Sequence, residues 1–323
     1  MKGEYMAIRF EEWYRNLGDE PRLLMKAELK PVQGTRFQPT GFPDLGAAEY
    51  TSPDGTQMML VESAQSMANR LESVCWNKAE QELVQTLRGT PYIHVDLDED
   101  GSFTNSILEA HRINSEYITG KKTQKDFNET IKEEIGYDLN KPVSFKAFYK
   151  TLMKYDPNCL IHGVFLEEIG GRLRVPRTLS AFIEASDVKP VQSGGVKFSH
   201  VAPAVKGGEG NVPYTRTEYT AKDMTAYFNL DLAGIRGFGL GEEAEKYLIA
   251  MALYKIRHFL REGLRLRTAC DLELVDKVRV TNIEGLEVPS VDEFERVLPE
   301  LIQECKAKDH FADPSITRLK YRE

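Results

Sequence analysis

Apolar residues recur at two periods along this chain, and the changes between them mark out its elements. Arg22 to Lys30 (RLLMKAELK), apolar at its centre and followed by proline, predicts a first strand. From Ser63 the period is helical: Ala64, Met67, Ala68, Leu71, Val74 and Cys75 form an inner stripe, with Ser63, Ser66 and Arg70 on another face and Asn69 and Ser73 nearby. Thr225 to Leu232 (TAYFNLDL) alternates polar and apolar positions, the pattern of a half-exposed sheet face. Shorter extended pieces are expected at Tyr92 to Val95, on either side of Pro53-Asp54-Gly55, and across Leu264 to Val280. Cys159 to Leu166 (CLIHGVFL), almost continuously apolar, reads as a buried strand. Helices are expected over residues 1–20, over Lys78 to Arg88, over Glu242 to Arg261 and over Val291 to Cys305, and a helical insertion over Thr119 to Tyr155. Strands and helices mix without a βαβ rhythm, which predicts an α+β fold on an antiparallel sheet.

Two stretches fit neither period. The loop after the first strand, KPVQGTRFQPTGFPDLG, holds Gly34, Gly41, Gly46, Pro31, Pro39 and Pro43 and cannot continue a strand or a helix. Followed by a helix start carrying hydroxyls and Arg70, it suits anionic oxygen atoms; an N-capped core helix after an irregular loop fits the same residues. Lys189 to Pro213, with Gly194, Gly195, Gly207, Gly208 and Gly210, has too little apolar surface to pack alone and predicts a flexible or hairpin-like projection.

Composition narrows the chemistry. Of 323 residues, 41% are hydrophobic and 28% charged, enough apolar material for a full core. The net charge of −8 argues against a uniformly nucleic-acid-coating protein, yet basic residues cluster at Arg172 to Arg177 and in KIRHFLREGLRLR, and one basic groove suffices to bind a polyanion. That run equally fits a solvated helix edge. No stretch approaches a membrane span, no signal peptide is visible, and Cys75, Cys159, Cys270 and Cys305 are far apart, so a reduced cytoplasmic compartment is expected. The histidines lack metal-ligand spacing, and DLDEDG lacks the glutamate that a calcium loop needs. GIRGFGLG fails as a dinucleotide loop and reads best as a tight strand-to-helix connection. His162, in an apolar run, is expected to be a satisfied core histidine.

Nine strings in order (QGTRFQPTGFPDLG, VESAQSMANRLE, SILEAHRINS, HGVFLE, RTLSAFIEA, GNVPYTRTEYTA, YFNLDL, IRGFGLG and LRLRTACDLE) make the chain resemble the backbone subunit of type I-G (formerly I-U) CRISPR-Cas effector (Cascade) complexes, a RAMP-superfamily protein. The resemblance runs from about Arg22 to Glu273. It implies one elaborated domain over 1–323. A modified RNA-recognition (ferredoxin-like) palm would cover about 20–90, 156–188 and 214–310, a helical insertion about 91–155 and a protruding thumb hairpin about 189–213. It implies a non-catalytic subunit that stacks in several copies along a guide RNA (crRNA) and presents it to target DNA beside other Cascade subunits, with no cofactor, metal or membrane. The expected RNA-binding residues are Gln33, Arg36 and Gln38 of the loop and Ser63, Gln65, Ser66, Asn69 and Arg70 of the helix. Lys197, His200 and Lys206 of the projection and His111, Arg112, Arg216 and Arg236 of the matched strings complete the set. Related subunits of type III complexes cut RNA with an aspartate in this loop; Asp44 stands there and is read as a loop cap. The alternatives are a metal-dependent ribonuclease using Asp44 and a structural scaffold without RNA contact.

Overall fold

A computed structural model describes residues 9–42, 44, 46–98, 100–120, 125–138, 140–167, 169, 171, 173–198 and 211–321. Its centre is an antiparallel sheet. The first strand, Arg22–Pro31, pairs on one side with Asp223–Asp231, from Arg22 opposite Asp231 to Leu29 opposite Met224. Beyond lie Leu179–Ser186, Gln57–Glu62 and Glu49–Thr51; on the other side of the first strand lie Cys270–Leu274 and Arg265–Arg267. Alternation sets the faces. Leu23, Met25, Ala27 and Leu29 point into the core, while Arg22, Leu24 and Glu28 are exposed. The neighbouring strands Leu179–Ser186 and Asp223–Asp231 alternate in the same way.

Helices cover the inner face. Ala64–Ser73 packs on Leu179–Ser186, and the long helix Glu242–Glu262 packs on Cys270–Leu274, on Ala64–Ser73 and on the final helix Val291–Ala307. Along the chain the main elements run strand (Arg22–Pro31), helix (Ala64–Ser73), strand (Leu179–Ser186), strand (Asp223–Asp231), helix (Glu242–Glu262), strand (Cys270–Leu274). In space those four strands lie in the order fourth, first, third, second. Gln57–Glu62 and Glu49–Thr51 extend the second strand's free edge. Between the second and third strands the chain leaves the sheet as a hairpin, Lys189–Phe198 against Asn211–Thr220, paired out to Phe198 opposite Asn211. Gly194 is needed there, since a Cβ would sit 2.4 Å from the Tyr214 carbonyl oxygen. The projection is therefore a regular ladder along its described length, separated at Ala221–Lys222 from the sheet strand Asp223–Asp231. A smaller sheet joins Tyr92–Asp96 to Phe103–Asn105 and, in parallel, to Ile316–Lys320.

Two expected elements differ. Residues 78–88 are not a helix: Trp76–Asn77 pairs with Glu82–Leu83, and one 3-10 turn follows at Gln85–Leu87. Asn77 Oδ1 accepts the Ala79 and Glu80 N–H groups at 3.0 and 3.3 Å, folding the chain into a turn before a helix starts. Cys159 to Leu166 divides into a helix, Asn158–His162, and a strand, Val164–Leu166. A continuous apolar run does not distinguish the two forms; the switch lies at Gly163, with φ +78 and room for no Cβ, 2.8 Å from the Val175 carbonyl oxygen. In GIRGFGLG, Leu232–Gly237 is a short helix whose Gly234 N–H donates to Asp231 at 3.0 Å, a compact link into the long helix.

The core contains a polar cluster. Arg112, expected on the RNA-binding surface, is only 5% exposed. Its Nε and Nη2 donate to the Glu72 carboxylate at 2.6 and 2.7 Å, and Nη1 donates to the Gly163 carbonyl at 3.0 Å. Lys255, fully buried, meets Asn158 Oδ1 at 2.5 Å and His162 Nε2 at 2.9 Å. His162 is a core histidine, although its Nδ1 has no partner among the described residues. Burial, reinforced by the Lys255 charge, holds its pKa well below the ordinary imidazole value. Burial pushes the Glu72 carboxyl up, and Arg112 opposes the rise. Arg112→Ala leaves Glu72 buried without its fork and is expected to cost about 3–5 kcal/mol in urea unfolding. Replacing both partners by Leu and Met should recover much of that loss. A loss under about 1 kcal/mol for Arg112→Ala contradicts this role.

Candidate nucleic-acid interface

The loop after the first strand is tied to three separate elements through its backbone. Val32 N–H donates to the Asp271 carbonyl at 3.0 Å and Gln38 N–H to the Ala269 carbonyl at 2.8 Å, both on the marginal hairpin formed by Arg265–Arg267 and Cys270–Leu274. Phe37 and Tyr219 exchange two bonds at 2.9 and 3.0 Å at the root of the long hairpin, and Thr40 N–H reaches the Val61 carbonyl at 3.2 Å. Phe37 is buried and anchors the middle, while Gln33, Gly34, Thr35 and Arg36 are exposed. This geometry answers the demand for backbone partners without regular structure.

Two buried carboxylates organise the charge around the loop. Glu62, 1% exposed, ends the strand that leads into the Ala64–Ser73 helix. Arg70 Nε donates to it at 3.1 Å, and Ser66 Oγ and Arg267 also donate to it. Arg70 Nη2 continues to the Leu266 carbonyl at 2.6 Å, and Arg267 Nη1 to the Gln38 carbonyl at 3.0 Å. Glu218, 4% exposed, is placed in the same way on the long hairpin. Arg36 lies 3.3 Å from it and Arg216 donates to it. Each site thus has two arginines on one carboxylate, leaving one unit of positive charge at each. Gln38 Oε1 and Arg216 Nε are buried without a hydrogen-bond partner among the described residues, unspent capacity on both sides of the loop.

The helix start is the N-capped core helix that the spacing allowed. Ser63 Oγ accepts the Ser66 N–H at 3.3 Å, and Met67, Ala68 and Leu71 are buried, so it is a capped core helix. Its other face is polar, with Gln65 and Asn69 exposed and Gln65 Oε1 accepting from Arg177. The structure therefore links Gln38 to Ser66 and Arg70 through Arg267 and Glu62, and gathers Gln33, Arg36 and Arg216 around Glu218, while Ser63 caps the helix and Gln65 and Asn69 stand on its exposed face. His111 is exposed on the turn that carries the buried Arg112. Arg236 donates to the carbonyls of Gly18, at 3.5 Å, and Glu20, which ties it to the turn that follows the helix Phe10–Asn16. Lys197 lies on the hairpin with its side chain outside the description, and His200 and Lys206 fall outside the described residues. Asp44 is exposed, and the described residues contain no cluster of three or more metal-ligating side chains. Sequence reasoning missed Glu62 and Glu218 and did not separate Arg177 and Arg267 from their basic clusters. A lone acid at the end of the apolar strand QMMLVE was the available signal for Glu62.

Residues 23–190 match the model of the CRISPR-associated protein GSU0053 family, a span from the first strand to the start of the long hairpin. The chain belongs to that family and is a CRISPR-associated protein. No curated protein matches it. A solved structure described as a CRISPR RNA-guided surveillance complex, pre-nicking, is similar at a TM-score of 0.43 and 10% identity, covering 88% of this chain and 89% of that one; a likeness so remote carries no argument. No helix among the described residues is long and apolar enough to cross a membrane.

The two arginine pairs predict different mutational outcomes. Arg70 is mostly buried, so Arg70→Ala removes a charged hydrogen bond from Glu62 and should cost about 1.5–3 kcal/mol in urea unfolding. Arg36 is 56% exposed, so Arg36→Ala should change stability by no more than about 0.5 kcal/mol. Equal losses from the two variants contradict the assignment.

Proposed function

We propose that this chain is a guide-RNA-binding backbone subunit of a type I-G (formerly I-U) CRISPR effector complex. It acts without chemistry of its own, several copies stacking along one crRNA that pairs with target DNA beside other subunits. The strand order supports a RAMP-type ferredoxin-like palm: strand, helix, two strands, helix, strand, arranged fourth–first–third–second, is the plan of that fold. On this reading the Lys189–Phe198 and Asn211–Thr220 hairpin is the thumb, and residues 91–155 are the helical insertion.

The observation that carries the reading is the pair of arginine sites flanking the pinned loop. Arginines held on buried carboxylates have little side-chain freedom left to lose when a phosphate arrives. Together with exposed amides at Gln33, Gln65 and Asn69, they address the sugar–phosphate chain and leave the base edges free for pairing. Arg36, the more exposed, is the leading phosphate contact, and Arg70 supports the surface from below. Asp44 is a loop residue in this account.

Salt titration of single-stranded RNA binding tests it. Several unrelated sequences should bind with similar affinity and a steep dependence on salt, and Arg36→Ala should flatten the slope by about 0.7 for all of them. A preference for one sequence that persists at high salt contradicts the reading. So does magnesium-dependent RNA cleavage that Asp44→Ala abolishes, which would make the protein a ribonuclease.

A further inference from the structure

We propose that the groove lined by Arg257, Arg261 and Arg265 is a second phosphate-binding subsite, continuing the path of the guide RNA beyond the first loop; the proposal rests on the RNA-binding reading above. The groove, of about 500 Å³, lies between the end of the long helix, the marginal strands and the start of the final helix. The basic run KIRHFLREGLRLR supplies it only in part. Lys255 turns into the core, and Arg267 is taken by Glu62 and Gln38. Arg257, Arg261 and Arg265 are the members of the run that share one concave surface.

Arg257 is the unusual member. It is half-buried, and burial alone lowers its pKa. Among the described residues it has no hydrogen-bond or ion-pair partner. A guanidinium withdrawn from water normally carries a counter-charge, and its open side faces the groove. The acids present do not supply one. Glu262 bonds Arg261 at 2.7 Å, and Glu273 bonds Lys30 at 3.0 Å on the neighbouring strand. Asp271 is exposed and without an ion pair among the described residues. Setting Glu262 and Asp271 against the three arginines leaves one unit of positive charge, as at Glu62 and at Glu218.

The groove also adjoins the first site. Arg265 stands opposite Asp271 in the marginal hairpin, and the Asp271 carbonyl holds Val32 of the first loop at 3.0 Å. Asp271 lines both this groove and the one formed by Gln33, Gly34, Arg36 and Arg216. A strand lying over Arg36 therefore reaches Arg265 by crossing one hairpin. Leu260, Leu264 and Val291 give the groove an apolar wall suited to a ribose or a base edge.

The test is salt titration of the full chain with a poly-uridine single strand. Arg257→Gln and Arg265→Gln should each flatten the slope by about 0.7, and the double variant by about 1.4. Arg257→Gln should not lower the melting temperature, because no bond within the chain is lost. If it does, the exposed Arg265→Gln carries the test alone. Unchanged slopes in both variants, with Arg36→Ala still flattening the slope, overturn this subsite and leave the RNA-binding reading intact. Loss of the Arg36 effect as well means that the reading itself has failed. Unchanged slopes together with weaker self-association in the absence of RNA also overturn the proposal, since the groove then takes a carboxylate from a neighbouring copy.

Discussion

A carboxylate that water cannot reach must be satisfied from within, and Glu62 is the place where this constraint shapes the molecule. Its partners come from both near and far along the chain. Ser66 and Arg70 belong to the helix that follows it, and Arg267 comes from the strand at the opposite margin of the sheet. For Arg267 to reach Glu62, the sheet has to curl, bringing together two strands that four others separate. The first loop is captured in the closure, because Arg267 also holds the Gln38 carbonyl and Arg70 the carbonyl of Leu266. Removing one partner of such a group costs more than the bond itself, since the remaining charge stays buried. The fold and the candidate site therefore share a single support.

Glu218 repeats the device on the long hairpin, with Arg36 and Arg216 as partners. Both carboxylates sit at the base of the surface and the arginines at its rim, so local positive charge survives in a chain of net charge −8. Overall charge governs non-specific attraction, whereas two or three oriented guanidinium groups are enough to hold successive phosphates. On the RNA-binding reading proposed above, a narrow basic path would let an acidic protein hold one strand along a defined line without coating nucleic acid at large.

Much of the site was legible in the sequence because its signals are local. Proline and glycine punctuation isolated the loop, helical spacing oriented Ser63, Ser66 and Arg70, and alternation at 225–232 identified a sheet face. What was not legible depends on tertiary partners. Arg112 and Arg36 are alike as letters, yet one is buried on Glu72 and the other stays largely exposed beside Glu218. The helix expected at 78–88 lost to a side-chain turn at Asn77, and the run at 159–166 divided where a Cβ would have struck the neighbouring strand. Arg70 stood on the correct face but is occupied by an acid eight residues earlier, a pairing that helix geometry does not announce.

The most direct measurement of the central claim is photo-crosslinking of the protein to a single-stranded RNA, with the attached peptides identified by mass spectrometry. The account places the crosslinks in two peptides, residues 33–40 and 63–70, with residues of the Asn211–Thr220 strand next in yield. Crosslinks confined to other surfaces, with these two peptides unmodified in fully loaded protein, would show that the loop and the helix are a structural junction and that the RNA runs elsewhere.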